Sequence, residues 1–245
     1  MSYKLSIERA LSYGFDRITT RGGAILLAVY VLFQLVTQVS VQSFFSGLFT
    51  ELFPDEEFSQ TYPLAVDLPI SIGGGLTALL MLVGSVLGVV TIRALYSDIN
   101  DVPTADHTRR LVRTAGVLVV VTVITFFAVL IGSVFLLFPG IFLAVCLVFA
   151  PIAVVIEDAG VIESLERSWE LTSENRIRLF ILGAVIGVGS GLVSLVFTVV
   201  GVAPIVGNLV TAITSGVFTL FGAAVLVGAY RQLAGERETV STSEW

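Results

Sequence analysis

Residues 139–180, PGIFLAVCLVFAPIAVVIEDAGVIESLERSWELTSENRIRLF, decide how the chain is read. They join two long apolar regions through the most charge-dense part of the sequence. The order is a turn at Pro139-Gly140, a short apolar span, a charged step at Glu157-Asp158, an amphipathic helix over 160–172 and the entry to another span. Pro151 falls inside the short span and should kink it, because proline lacks a backbone donor and crowds the preceding turn. The helix over 160–172 places Ile162, Leu165 and Trp169 on one face and Glu163, Glu166, Arg167 and Glu170 on the other. Glu163 and Arg167 stand i,i+4 in the favourable orientation. Residues 157–178 carry six acids against three arginines, so this helix is expected to dock on protein, not on anionic lipid. Trp169 is expected between span ends, with Arg93 or Arg176 near Glu157-Asp158.

Working outward, the same alternation of apolar blocks and charged joints covers the whole chain. Its 245 residues are 56% hydrophobic and 13% charged, with mean hydropathy +0.97, where a soluble domain carries about a quarter charged residues. No Asp, Glu, Lys, Arg or His occurs in 22–50, 68–92, 114–156 or 179–230. A helix needs about 20 apolar residues to cross the hydrocarbon core. The first two blocks hold one span each. The last two hold two each, divided at Pro139-Gly140 and at Gly201 to Pro204. The expected fold is therefore all-α: a polytopic membrane bundle with spans near 24–47, 70–93, 114–137, 140–156, 179–200 and 205–229. A large soluble core is excluded because these blocks lack a polar stripe. They are also too long and uniform for barrel strands.

Two amphipathic helices join the spans on one side. Over 2–21, Ile7, Leu11, Gly14/Phe15 and Ile18 share a face opposite Glu8, Arg9, Ser12, Asp16 and Arg17. The second is the helix over 160–172. ALSYGFD at 10–16 and SLERSWE at 164–170 share the pattern small-Leu-x-x-small-aromatic-acidic. Duplication, or the common demands of interfacial helices, would each produce it. Residues 1–231 are expected to form a single membrane domain and 232–245 a disordered polar tail.

All 13 basic residues lie in 1–21, 93–113, 157–178 and 230–245, with 14 of the 19 acids. The opposite segments hold five acids, all in 48–69, and no Lys or Arg. The positive-inside rule then puts both termini in the cytoplasm of a multi-pass protein of the cell membrane. Lys4 is the only lysine and the pI is about 4.8, a composition expected of a halophile.

Candidate functional residues are few. Gln34, Gln38 and Gln42 repeat at i,i+4,i+8, and Asn208, Thr211, Ser215 and Thr219 form a second polar stripe. Both are expected to face the bundle interior, as interhelical hydrogen bonds or as the lining of a polar cavity. Gly183, Gly187 and Gly191 form a stripe expected to pack against another helix. Cys146, the only cysteine, reads as a packing residue, and His107, beside Asp106, as a solvated loop residue. No metal-ligand cluster and no cofactor motif appears, and nothing points to nucleic acid.

The segment from Leu136 to Phe180 resembles the glycerophosphoryl diester phosphodiesterase membrane-domain superfamily, which includes many stand-alone prokaryotic membrane proteins. The resemblance rests on Pro139-Gly140, Glu157-Asp158, Ser164-Leu165, Ser168-Trp169, Leu171-Thr172 and Asn175. It implies a six-helix membrane domain and no activity, since catalysis in the named fusions belongs to a separate soluble barrel. The expected function is non-catalytic: organising membrane lipids or a membrane or cytoplasmic partner protein. The alternative is a transporter or permease-like protein for a lipid or a small neutral solute.

Overall fold

The computed structural model describes residues 5–54, 61–97, 110–135, 137–199 and 204–241. Among these it is all-α: α1 (Ile7–Ile18), α2 (Arg21–Leu52), α3 (Ile70–Tyr96), α4 (Leu111–Phe135), α5 (Leu137–Cys146), α6 (Ala150–Ile156), α7 (Val161–Thr172), α8 (Arg176–Val199) and α9 (Pro204–Ser241). Six segments are long and apolar enough to cross a membrane: Arg21–Leu52, Ile70–Tyr96, Leu111–Val134, Phe138–Ile156, Arg176–Val193 and Val206–Gly235. The protein is a multi-pass membrane protein. Asp55, Glu56 and Glu57 of the acidic loop, Asp106-His107 and Gly201 lie outside the described residues.

The chain forms two compact units. One comprises 1–24, 85–185 and 221–245; the other comprises 25–84 and 186–220. In the first unit, α4 and α6 pack through Ala115, Leu118, Val121, Ala150, Val154 and Val155, with Val89 of α3 in the same cluster. The amphipathic helix α1 starts at the N-cap Ser6, whose hydroxyl accepts from the Arg9 N–H at 3.4 Å. It docks on α9 at Gly14, with Ala10 of the same face also buried. A Cβ at Gly14 would overlap Val225 Cγ2 and lie 3.2 Å from the Val225 nitrogen, so any larger residue would have to push α9 or its side chains away.

Two expectations about boundaries change. Pro139 and Gly140 do not form the turn between spans; both lie in the first turns of α5, where proline's missing donor costs nothing. Gly140 instead allows α5 to cross α4 closely, since a Cβ there would sit 2.7 Å from the Ser133 nitrogen. The polar tail expected from 232 is helical as far as Ser241. Gln232, Leu233, Ala234, Glu236, Arg237 and Glu238 are good helix formers and extend the span outward without a break.

In the second unit α2 meets α9 through side-chain amides. Gln38 Nε2 donates to Asn208 Oδ1 at 2.6 Å and Gln42 Nε2 to the same oxygen at 2.7 Å. Gln42 Oε1 also accepts the Leu64 N–H at 3.0 Å. Ser40 and Thr77 lie 3.0 Å apart, joining α2 to α3.

Candidate functional site

The site centres on a broken helix. Because Pro151 has no N–H, the Leu147 carbonyl takes the Ala150 N–H instead, at 3.1 Å. That tight turn ends α5 at Cys146 and starts α6 at Ala150. It also frees the Cys146 carbonyl, which has lost its helical donor, and the Phe149 N–H. Both groups are buried, and an unmet buried polar group costs roughly 1–3 kcal/mol. Ser168 of α7 answers both: its hydroxyl donates to the Cys146 carbonyl at 2.8 Å and accepts from the Phe149 N–H at 3.1 Å. Thr172, one turn on, donates to the same carbonyl at 3.4 Å.

These bonds make α7 run back along α6 with an unexpected face inward. Ser164, Ser168, Leu171 and Thr172 are its buried residues. Ile162 is 71% exposed and Trp169 43% exposed, while Leu165 is half-buried against the cluster of α4 and α6. Trp169 is therefore not inserted between span ends. Small hydroxylated residues win the buried face because they allow close approach to the break and satisfy its backbone at Cys146 and Phe149. A large apolar face would do neither.

The turn after α6 carries the charged step. Asp158 adopts a left-handed backbone at φ 52°, a conformation Asp tolerates better than most residues. Its carboxylate lies 3.5 Å from Arg93, which also donates to the Val155 carbonyl and to Thr114. Glu157 accepts from Arg167 Nε at 3.1 Å and from the buried Tyr230 hydroxyl of α9. Burial would lower the Arg167 pKa, but the Glu157 carboxylate outweighs it and holds the guanidinium above its ordinary value. The expected Glu163–Arg167 pair is replaced: Glu163 Oε2 accepts the Gly160 N–H at 3.1 Å, while Arg167 turns to Glu157 and Glu170. Glu163, in the first turn, thus caps the start of α7.

Asn175 and Arg178, at the entry to α8, clamp the start of α1. Asn175 Oδ1 accepts the Leu5 N–H at 2.9 Å, and Arg178 Nη1 donates to the Leu5 carbonyl at 2.6 Å. Beside them, Arg176 stacks on two aromatic rings, its guanidinium carbon 4.7 Å from the Trp169 centroid and 4.8 Å from that of Phe142. The two rings meet edge to face at 5.8 Å. A groove of about 750 Å³ opens here, walled by Phe138, Ile141, Phe142, Val145, Ile177 and Phe180. Sequence reasoning missed this groove and the bridging role of Ser168. The signal for the second was legible: a proline announces an orphan carbonyl, and Ser164, Ser168 and Thr172 recur every four residues.

The remaining candidates separate. Gln38, Gln42 and Asn208 come together, and Gln34, on the same face, is half-buried. Thr211 and Thr219 are exposed and Ser215 half-buried, which corrects the inward stripe. The buried row on α9 is Ala212, Gly216 and Leu220, one residue and hence 100° further round the helix. Gly183, Gly187 and Gly191 are also corrected: all three are exposed, with no atom of the described residues within 4 Å of a Cβ placed there. Leu182, one position away, is buried in their stead. Cys146 is free and buried. Among the described residues no group of three His, Cys, Asp or Glu side chains could hold a metal ion.

No curated protein and no solved structure matches this chain. Residues 5–233 match a family described as a domain of unknown function, DUF7847, and since the match covers both amphipathic helices and all six spans, the chain belongs to that family.

Proposed function

We propose that this is a non-catalytic protein of the cell membrane that organises lipid at the cytoplasmic face through its two amphipathic helices, with both termini on that side. The observation that carries the reading is the inverted face of α7. The helix docks by Ser164 and Ser168 and leaves Ile162 and Trp169 outward. On α1 the same holds: Ala10 and Gly14 are buried and Phe15 is 66% exposed. Aromatic residues turned outward at the level where spans begin suit the headgroup region. Docking on protein and contact with lipid, set against each other when the segment is read from its charge alone, belong here to different faces of one helix. The transport alternative has less support, because Gln38 and Gln42 spend amide donors on Asn208.

Trp169 fluorescence in liposomes tests this reading. With Trp245→Phe removing the second tryptophan, lipids brominated near the headgroup should quench Trp169 strongly. An unquenched Trp169 would sink it.

A further inference from the structure

We propose that the groove between α5 and the start of α8 binds one anionic phospholipid, with its phosphodiester on Arg176 and a hydrocarbon chain along Phe138, Phe142 and Phe180. The inference rests on the reading that α7 lies at the membrane interface. Arg176 is the reason to expect an anion. Its half-buried guanidinium touches Trp169 and Phe142, two rings set edge to face; Nε is buried without an acceptor, and no carboxylate of the described residues pairs with the side chain. A partly buried cation without an acceptor is costly unless an anion or water completes it. The two rings hold the guanidinium by cation–π contact, and the edge that carries its two Nη groups is left for a ligand in the groove that Arg176 lines. That edge matches two phosphate oxygens, a geometry lysine cannot reproduce.

The surroundings select the source of the phosphate. The walls beside Arg176 are apolar and exposed, with Ile177 77% exposed. A free phosphate would leave those walls uncovered, whereas a lipid covers them. Arg178 lines the groove too, with Nη1 committed to the Leu5 carbonyl. Glu174 stands at the rim, exposed. One acid beside two arginines favours a headgroup with a single negative charge and opposes one with several.

The test uses the full-length protein in mild detergent, titrated with phosphatidylglycerol and, separately, with phosphatidylcholine. Bound lipid is read by native mass spectrometry and the melting temperature is followed in parallel. Phosphatidylglycerol should bind in preference to phosphatidylcholine and raise the melting temperature. Arg176→Gln should weaken that binding about tenfold, with partial recovery in Arg176→Lys. Ile177→Glu places a charge at an exposed wall position without disturbing packing, so it should keep its lipid-free melting temperature and still lose the preference. Unchanged phosphatidylglycerol affinity in Ile177→Glu, or in a folded Arg176→Gln, would overturn the site. Glycerol phosphate competing as well as the lipid would overturn the lipid assignment. Quenching of Trp169 by brominated lipid separates the two readings: quenching with no effect of Arg176→Gln leaves the interfacial reading standing and removes only this site.

Discussion

A hydroxyl that donates and accepts at once can replace two lost helical hydrogen bonds, and Ser168 does so at the break made by Pro151. Ser168→Ala should therefore destabilise the protein by about 1–3 kcal/mol, since two buried backbone groups lose their best partner. Trp169→Ala should fall short of the roughly 3–5 kcal/mol of a fully buried ring, because only part of the indole is covered. Thermal melting of the two variants in one detergent checks both values. The Arg167–Glu157 contact gives a second residue-scale prediction. The Arg167 pKa is raised in the folded state, so its contribution is present below the ordinary arginine value and lost only above the raised one. Arg167→Gln should cost about 0.2–1 kcal/mol, the range of an exposed ion pair, and the part due to arginine's own titration should stay constant from roughly pH 6 to 9. A loss that fades as the pH rises through that window would contradict the assignment.

At the scale of elements, α1 and α7 are two versions of one device. Each has 12 residues, each buries two small residues four apart and each leaves the following aromatic outward. The pattern shared by 10–16 and 164–170 is thus matched in burial, not only in letters. The clamp on Leu5 ties the start of α1 to the entry of α8. Asn175→Ala should speed amide exchange over residues 5–10 while leaving exchange in α7 unchanged; equal protection in the variant would show that α1 is held by its apolar face alone. In the second unit, Asn208 accepts from two glutamines. Asn208→Ala should cost about 0.6 kcal/mol, with roughly 2 as the upper end for a tightly packed site in a membrane. Cysteines at Thr211 and Thr219, which face outward, should resist small water-soluble reagents if that face meets lipid.

At the scale of the whole molecule, the distribution of charge makes a prediction that does not depend on any single contact. In a Cys146→Ala protein, Glu56→Cys should label from outside intact cells, while Thr104→Cys and Val240→Cys should not. Labelling of either of the last two from outside would reverse the orientation. The removal of Cys146 is a mild change, because it is a buried free thiol with little volume beyond alanine.

Six membrane-spanning segments, the two amphipathic helices and the helix break near Pro151 follow from the sequence alone, because each depends on a local quantity. The length of an uncharged run, the spacing of charges around a helix and the missing proline N–H need no knowledge of a partner. What the chain does with each helix face was decided only in three dimensions. Ser168 outranks Trp169 on α7 because an orphan carbonyl lies opposite, and that carbonyl belongs to a residue 22 positions earlier. Gly183, Gly187 and Gly191 remain exposed because the buried row of α8 runs through its neighbours. Small residues permit close packing but do not compel it. Arg176 appears in the sequence as one more charge at a span end, and only the rings of Phe142 and Trp169 brought against it, beside an apolar groove, make it a candidate for holding an anion.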